Sequence, residues 1–441
     1  MGAFHGPDGG SEELIRQVKS ISRPLRDEQD LDPLMDQIGD ARFVLLGEAS
    51  HGTSDYYTWR ARISQRLIEG KGFAFIAVEG DWPDCYRVNR YIKGYPDSGD
   101  SADQVLHEFE RWPTWMWANW EIVALTEWMR EFNKGRQEDE KVGFYGLDVY
   151  SLWESMDAIM KYLEENDSEA VQLAKQAYRC FEPYGEDVQS YAWSTRMVPD
   201  TCEDEVVDLL MEMRKRTEQF KGDHEEQFNA EQNALVLVNA ERYYRAMVRS
   251  DSNSWNVRDY HMADTLDRLM EHTPKAKAIV WAHNTHVGDA RATDMQRAGM
   301  VNIGQLVRER HSNMGVVLVG SGSYKGSVIA GEEWGAPMER MPVPEAQAQS
   351  WEDVLHRAGS DDKFLSMKTG ALDSEELREV RGHRAIGVVY NPSIERFGNY
   401  VPTVLPARYD AFLYVDETEA LHPLHMQPEL AEVPETYPWG L

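Results

Sequence analysis

An α/β fold is what this sequence predicts: a mostly parallel sheet covered by helices on both faces and interrupted by a large helical insertion. Three observations carry the prediction. Short runs rich in Val, Ile, Phe and Leu recur along the chain and are apolar on both faces, as strands buried between two layers are. Helix-like stretches separate the first of these runs, and strand, helix, strand in alternation is the pattern of a parallel sheet. From about residue 150 to 272 the strand pattern stops, and only helical periodicity remains.

The strand candidates are, in order, FVLLGEA, FAFIAVEG, VGFYGLD, AIVWAHNTH, MGVVLVGS, AIGVVY and DAFLYVD. An amphipathic helix over residues 54–69 lies between the first two, opened by Thr53 or Ser54 as cap and closed by Gly70 and Gly72. A second helical stretch, EIVALTEWMREFNKG, leads to the third strand. The insertion, dense in Glu, Arg, Leu and Met, includes EDEVVDLLMEMRKRTEQF and EQFNAEQNALVLVNAERYYRAMV. Strands resume at AIVWAHNTH, and Pro-rich joints punctuate the mixed structure that finishes the sheet. The organisation expected is residues 1–150 as the first part of the core with the catalytic loops, 151–272 as the insertion, and 273–441 as the remainder of the core.

Bulk properties exclude several classes. No run approaches the roughly 18 apolar residues of a membrane span, and the first ten residues lack the marks of a secretory or lipidation signal. A cytoplasmic protein is expected. A net charge of −30 argues against nucleic acid and acidic membranes as partners. Cys85, Cys180 and Cys202 are odd in number and lack any CxxC pairing, so neither a disulfide framework nor a cysteine zinc site is expected, and a reducing compartment fits best.

In open parallel sheets, sites form beyond the carboxyl ends of the strands, and polar residues gather there. The first strand ends in Glu48, followed by Ser50 and His51; the second in Glu79 and Asp81; the third in Asp148; the fourth runs into His283, Asn284 and His286. Asp148 taken alone reads as a turn former, and Arg60, on the helix after His51, as a surface residue. Four strands delivering acid or imidazole to one edge point instead to chemistry. A neutral imidazole is the natural general base near neutral pH, and a second His or an Arg can meet the charge that develops on a carbonyl oxygen.

Rival chemistries fare less well against spacing. A serine-hydrolase elbow needs Gly two residues before and two after the nucleophile, and Ser50 has only Gly52. His283 and His286 with His51, Glu48 and Glu79 admit a zinc or manganese site, although HExxH and its inverse are missing. GSGSYKG, residues 320–326, matches no phosphate-binding pattern and reads as a flexible loop lining a cleft. Trp112, Trp115, Trp117, Trp120 and Trp128 read mainly as core, with some as walls for an apolar or sugar-decorated ligand.

GEASHG with its following Arg60, then VEGDW, RWPTWMW, YGLDVYS, NVRDYHMA and WAHNTHVGDAR, resemble in order and spacing the erythromycin esterase family across nearly the whole chain. The resemblance implies a three-layer α/β/α core, an insertion forming one wall of a deep cleft, and a small α+β subdomain. It also implies hydrolysis of a macrolide lactone ester without an obligatory metal or other cofactor. His51 falls on the family's water-activating histidine, Glu48 and Glu79 on its active-site carboxylates, Arg60 on its helix arginine, and His283 and His286 on its AHNxH histidines. Arg258 and Asp259 also match a family motif and read as an internal ion pair bracing the insertion. The expected function is therefore ester hydrolysis by His-activated water with no covalent intermediate, acting on a small-molecule ester. A metal-dependent hydrolase using the same cluster and a non-catalytic polysaccharide-pathway binding protein are the alternatives.

Overall fold

The computed structural model describes residues 7–166, 170–184, 188–197, 201–217, 224–248, 253–273, 275–367 and 374–425. Its strands are β1 (Ser22–Pro24), β2 (Phe43–Glu48), β3 (Phe75–Asp81), β4 (Gly143–Asp148), β5 (Ala278–His283), β6 (Val316–Gly331), β7 (Met338–Val343), β8 (Lys363–Ser366), β9 (Arg381–Arg384), β10 (Tyr400–Thr403) and β11 (Ala411–Thr418). Among the described residues nine of them form one sheet in the order β1, β8, β11, β6, β2, β5, β3, β4, with β7 on β6 off that path. From β11 to β4 every neighbour is parallel. β1, β7 and β8 pair antiparallel at the margins.

Successive residues of a strand point to opposite faces, and here both faces are buried. Val44, Leu46, Ile76, Val78, Ile279 and Trp281 pack with apolar residues of the helices Ser54–Lys71, Trp82–Lys93 and Trp120–Asn133. Phe43, Leu45, Phe75, Ala77, Ala278 and Val280 pack on the other face with the helices Asn253–His272, Ile303–Arg310 and Trp351–Arg357. The core strands therefore read as continuous apolar runs because each is the middle of three layers. The helix Ser54–Lys71 starts after Thr53 and ends on Gly72, whose φ of +68° is a left-handed closure.

Between β4 and β5 the described residues are helical and build a third apolar cluster of their own, around Met156, Leu163, Leu209, Leu237 and Tyr244. A part-buried carboxylate ties them to the sheet layers. Glu225 Oε1 accepts from Lys93 Nζ at 2.9 Å and Tyr145 Oη at 3.0 Å, and Oε2 lies 3.1 Å from His272 Nε2. His261, on the helix Asn253–His272, is buried, and its Nδ1 lies 2.9 Å from Asn239 Nδ2 on the helix His224–Met247. An amide donor facing Nδ1 requires a lone pair there, so this imidazole is held neutral; burial pushes its pKa down to about 4.

Three expectations are corrected. AIGVVY is not a strand: Ile386 N donates to Ala49 O, Ala385 N to Asn399 O, and Tyr390 N to Gly331 O, so its backbone bonds go to three different partners instead of one neighbour. GSGSYKG is not a loop but the middle of β6, held by its ladder with β11 even though five of its seven residues are Gly or Ser. Cys180 and Cys202 form a disulfide between the end of the helix Val171–Phe181 and the residue preceding the helix Glu203–Thr217, leaving Cys85 free and buried. An odd count excludes full pairing but not one pair, and because disulfides persist in oxidising surroundings the cysteine argument for a reducing compartment falls. No described helix is long and apolar enough to cross a membrane.

Two outcomes follow from this packing. Thiol titration of denatured, unreduced protein should find one reactive cysteine, Cys85, and three after reduction; three before reduction would contradict the Cys180–Cys202 bond. Because His261 binds protons less readily folded than unfolded, its contribution is present above its ordinary pKa and lost as pH falls from about 6.5 toward 4, a change on the order of 3 kcal/mol. His261→Gln, which keeps an acceptor for Asn239, should flatten the loss of stability over that window in pH-dependent denaturant titrations.

Candidate active site

The parallel register sets the site. Glu48 and His283 are neighbouring last residues of β2 and β5. On the other side of β5, the β3–β4 register breaks between Val78 and Asp81, and Glu79 sits in that irregularity. Its Oε2 accepts from His283 N at 2.7 Å, so one carboxylate replaces the ladder bond where the strands part. β4 ends in Asp148.

The motif GEASHG needs its glycines for close approach. A Cβ on Gly47 would lie 2.3 Å from Asn284 Oδ1, and one on Gly52 would lie 1.9 Å from Ile329 O. The loop between them therefore lies tight against β6 and the turn after β5, and it delivers His51 back over Glu48. His51 Nδ1 lies 3.0 Å from Glu48 Oε1. The other Glu48 oxygen accepts from Arg60 Nη2. Arg60 is buried between the rings of Tyr57 and Trp281, with Cζ 4.4 and 4.6 Å from their centroids. A buried carboxylate needs a counter-charge close by, and Arg60, expected at the surface when read alone, supplies it.

A carboxylate at Nδ1 selects the tautomer of His51 with its proton on Nδ1 and its lone pair on Nε2. That Nε2 has no protein hydrogen bond among the described residues. The ring of His283 lies 4.9 Å away, centroid to centroid. His283 caps the short helix Asn284–Val287 by accepting from Thr285 N at Nδ1. Its proton therefore sits on Nε2, which is buried and meets the geometric criteria for no hydrogen bond among the described residues. Burial, with the nearby His51 adding to it, pushes the pKa of His283 well below the ordinary imidazole value, so it stays neutral.

His286 is held differently. Its Nδ1 lies 3.0 Å from both oxygens of Asp259, and Trp255 stacks on the ring at 4.5 Å. Nε2 lies 3.0 Å from Arg258 Nη1 and 3.4 Å from Glu79 Oε1, so it accepts from the guanidinium when neutral and faces the carboxylate when protonated. Burial disfavours its charged form, but Asp259 and Glu79 outweigh that and raise its pKa. Arg258 grips Asp148 with Nε at 2.9 Å and Nη2 at 2.7 Å, and the same Nη2 reaches Glu79 Oε1 at 2.6 Å. Burial alone would raise the pKa of Glu79; His286, Arg258 and His51 together hold it well below the usual carboxylate range.

All six residues singled out in the sequence, Glu48, His51, Arg60, Glu79, His283 and His286, thus come together at the carboxyl edge of the sheet. Arg258 and Asp259 are a correction: they do not pair with each other, but clamp Asp148 with Glu79 and orient His286. Trp255, Arg258 and Asp259 stand three and four residues apart, one helical face directed at the strand ends, and that spacing was the available signal. Asp148 both turns the chain, accepting from Val149 N at 2.9 Å, and binds Arg258. Of the tryptophans, Trp115 and Trp117 are core, Trp117 Nε1 donates to Glu79 O at 3.2 Å, Trp112 packs on Trp334, and Trp120 is exposed. Ser50 bonds to Thr53 through their hydroxyls. Among the described residues no three His, Cys, Asp or Glu side chains are grouped to hold a metal ion.

Known proteins share this arrangement of chain. Two solved structures from structural genomics, a Bacillus cereus protein and one described as a succinoglycan biosynthesis protein, superpose with TM-scores of 0.79 and 0.74 at 20% and 22% identity, covering 94% and 95% of this chain and 99% and 100% of theirs. A mutant of the erythromycin esterase EreC in its open conformation superposes with a TM-score of 0.66 at 16% identity, over 95% of this chain and 98% of that one. In sequence, the chain is 22% identical to an Escherichia coli protein described as erythromycin esterase type II, over 90% of this chain and 94% of that one. It is also 20% identical to the putative hydrolase YbfO of Bacillus subtilis (strain 168), over 62% of each. The sequence model of the family described as erythromycin esterase matches residues 68–418, beginning after Glu48, His51 and Arg60 but taking in Glu79, Arg258, His283 and His286. A match over that much of the sequence, on a fold shared end to end with these relatives, places the chain in the erythromycin esterase family.

Proposed function

We propose that the protein hydrolyses a carboxylic ester of a small molecule by direct attack of water, with His51 as the general base. The observation that carries this reading is the pairing of two imidazoles whose hydrogen bonds favour opposite tautomers. Glu48 holds the proton of His51 on Nδ1 and leaves Nε2 basic, while Thr285 leaves His283 with a donor on Nε2, the rings 4.9 Å apart. One accepts a proton and the other offers one to the same small volume.

In this mechanism His51 Nε2 takes a proton from water as the oxygen adds to the ester carbonyl carbon. The carbonyl oxygen becomes negative and receives His283 Nε2–H, with His286 and Arg258 supplying positive charge behind it. The tetrahedral intermediate then expels the alcohol oxygen, breaking the C–O bond, and the proton on His51 passes to that leaving oxygen. The products are a carboxylic acid and an alcohol; no enzyme side chain becomes acylated, in keeping with Ser50 being tied to Thr53. Glu79 bridges the His283 backbone and Arg258, and so keeps donor and counter-charge in register.

The substrate class this reading favours is a macrolide lactone, supported by the family and by the description of the Escherichia coli relative. In this reading the described helices between Leu152 and His272 form one wall of the cleft and bring Trp255 and Arg258 to it. The net charge of −30 disfavours nucleic acid and acidic membranes as partners.

His51→Ala should fold as the wild type by circular dichroism and lose about 10²- to 10⁴-fold in kcat, the usual contribution of a positioned base. Turnover close to wild type would remove His51 from its role. Removing a single oxyanion donor typically costs about 10²- to 10³-fold in kcat, so His283→Ala should lower kcat by that order with a much smaller change in KM. Mass spectrometry of a 14-membered macrolide incubated with the enzyme should show the gain of one water, and an unchanged mass would exclude that substrate.

A further inference from the structure

A further imidazole–carboxylate pair lies next to the site, and the mechanism above does not use it. His383, in β9, is fully buried with its Nδ1 2.5 Å from Oε1 of Glu352, itself fully buried on the helix Trp351–Arg357. The same Glu352 oxygen accepts the backbone N–H of Arg384 at 2.9 Å. With its Nδ1 proton given to the carboxylate, His383 presents a lone pair at Nε2. Asn284 Nδ2 meets it at 3.3 Å and the Tyr409 hydroxyl at 3.4 Å.

Asn284 is the residue between His283 and Thr285, in the turn that also carries His286. Its amide has no freedom to flip. Nδ2 donates to Ser321 O at 2.7 Å, and Oδ1 accepts from Ser321 N at 3.3 Å. Its backbone oxygen takes Arg408 Nη2 at 3.0 Å. The opposite amide orientation would set an oxygen against Ser321 O and against the lone pair of His383. A run of single-valued hydrogen bonds thus leads from Glu352 through His383 and Asn284 to the two residues that flank it in the site.

Such a chain of desolvated polar groups is costly to bury, and an apolar filling of equal volume is commonly as stable or more so. What it supplies is one defined geometry. We infer that His383 is a positioning residue for the esterase reaction: through Asn284 it fixes the His283–His286 turn, and with it the direction of the His283 Nε2–H donor relative to His51. This inference rests on the proposed roles of His51 and His283. It adds that the segment after β8, which contributes no residue to the reacting centre, sets the donor's aim.

The test uses the full-length protein labelled with ¹⁵N at histidine, with imidazole resonances assigned by single replacements, alongside steady-state kinetics on an ester that the wild type hydrolyses. In His383→Ala the Nε2–H resonance of His283 should move or broaden while circular dichroism stays unchanged. A misplacement of about 1 Å can cost on the order of 10²-fold in rate, so kcat should fall roughly 10- to 100-fold with KM near wild type. His383→Gln keeps an acceptor for Asn284 Nδ2 and should recover most of the rate and the wild-type His283 signal. If His383→Ala does not fold, Glu352→Gln, which keeps the shape and removes the charge, should itself shift the His283 signal. Unmoved His283 and His286 resonances in the folded variants, or a loss that His383→Gln leaves unrepaired, would overturn the assignment. Absence of ester hydrolysis by the wild type would refute the proposed function, while the spectra would still decide whether His383 governs the turn.

Discussion

Carboxylates buried at the end of a parallel sheet must each be given a cation, and that requirement shapes this molecule around its site. Glu48 has Arg60, lodged between two aromatic rings; Glu79 and Asp148 share Arg258; Asp259 faces His286. Each pairing draws on a different part of the chain. Arg60 comes from the helix after β2, Arg258 from the last helix before β5, and His286 from the turn that β5 enters. Because an unmatched buried charge is more costly than nearly any other defect, these pairings also fix which helices must lie over the carboxyl edge.

The imidazoles inherit their chemistry from this frame. His51 and His283 sit side by side, yet one shows a carboxylate at Nδ1 and the other a backbone N–H, so their free nitrogens differ in character. His286, with two acids beside it, is the one pushed toward a charge. His261 illustrates the contrast within the same helix as Arg258: an amide neighbour and full burial make it a neutral structural group. Residue type alone separates none of the four; the atom opposite each ring nitrogen does.

Much of this was legible in the sequence because it rests on local pattern. β2, β3, β4, β5, β6 and β11 announce themselves as apolar runs, and the polar residues that end the first four of them build the site. Arg60 was less legible, since an arginine two turns into an amphipathic helix looks solvated until its partner is known. Arg258 and Asp259 needed the long-range fact that the insertion folds back over β4 and β5. Marginal strands such as β1 and β8 are too short to carry a period. The middle of β6 is mostly Gly and Ser and is a strand because β11 lies beside it. AIGVVY has the composition of a strand but no single neighbour to pair with. The Cys180–Cys202 bond depends on two helices meeting, which cysteine counting does not register.

Placing the orientation of His51 on Glu48 makes the geometry decisive over the mere presence of a histidine. The most direct measurement is the kcat of Glu48→Gln on an ester turned over by the wild type, with fold checked by circular dichroism. An amide of the same shape no longer selects the Nδ1–H tautomer, and the comparable change in a serine protease triad lowers kcat by about 10⁴-fold. The account predicts a fall of at least about 10²-fold, with the fold intact. A folded Glu48→Gln enzyme with kcat near that of the wild type would contradict it.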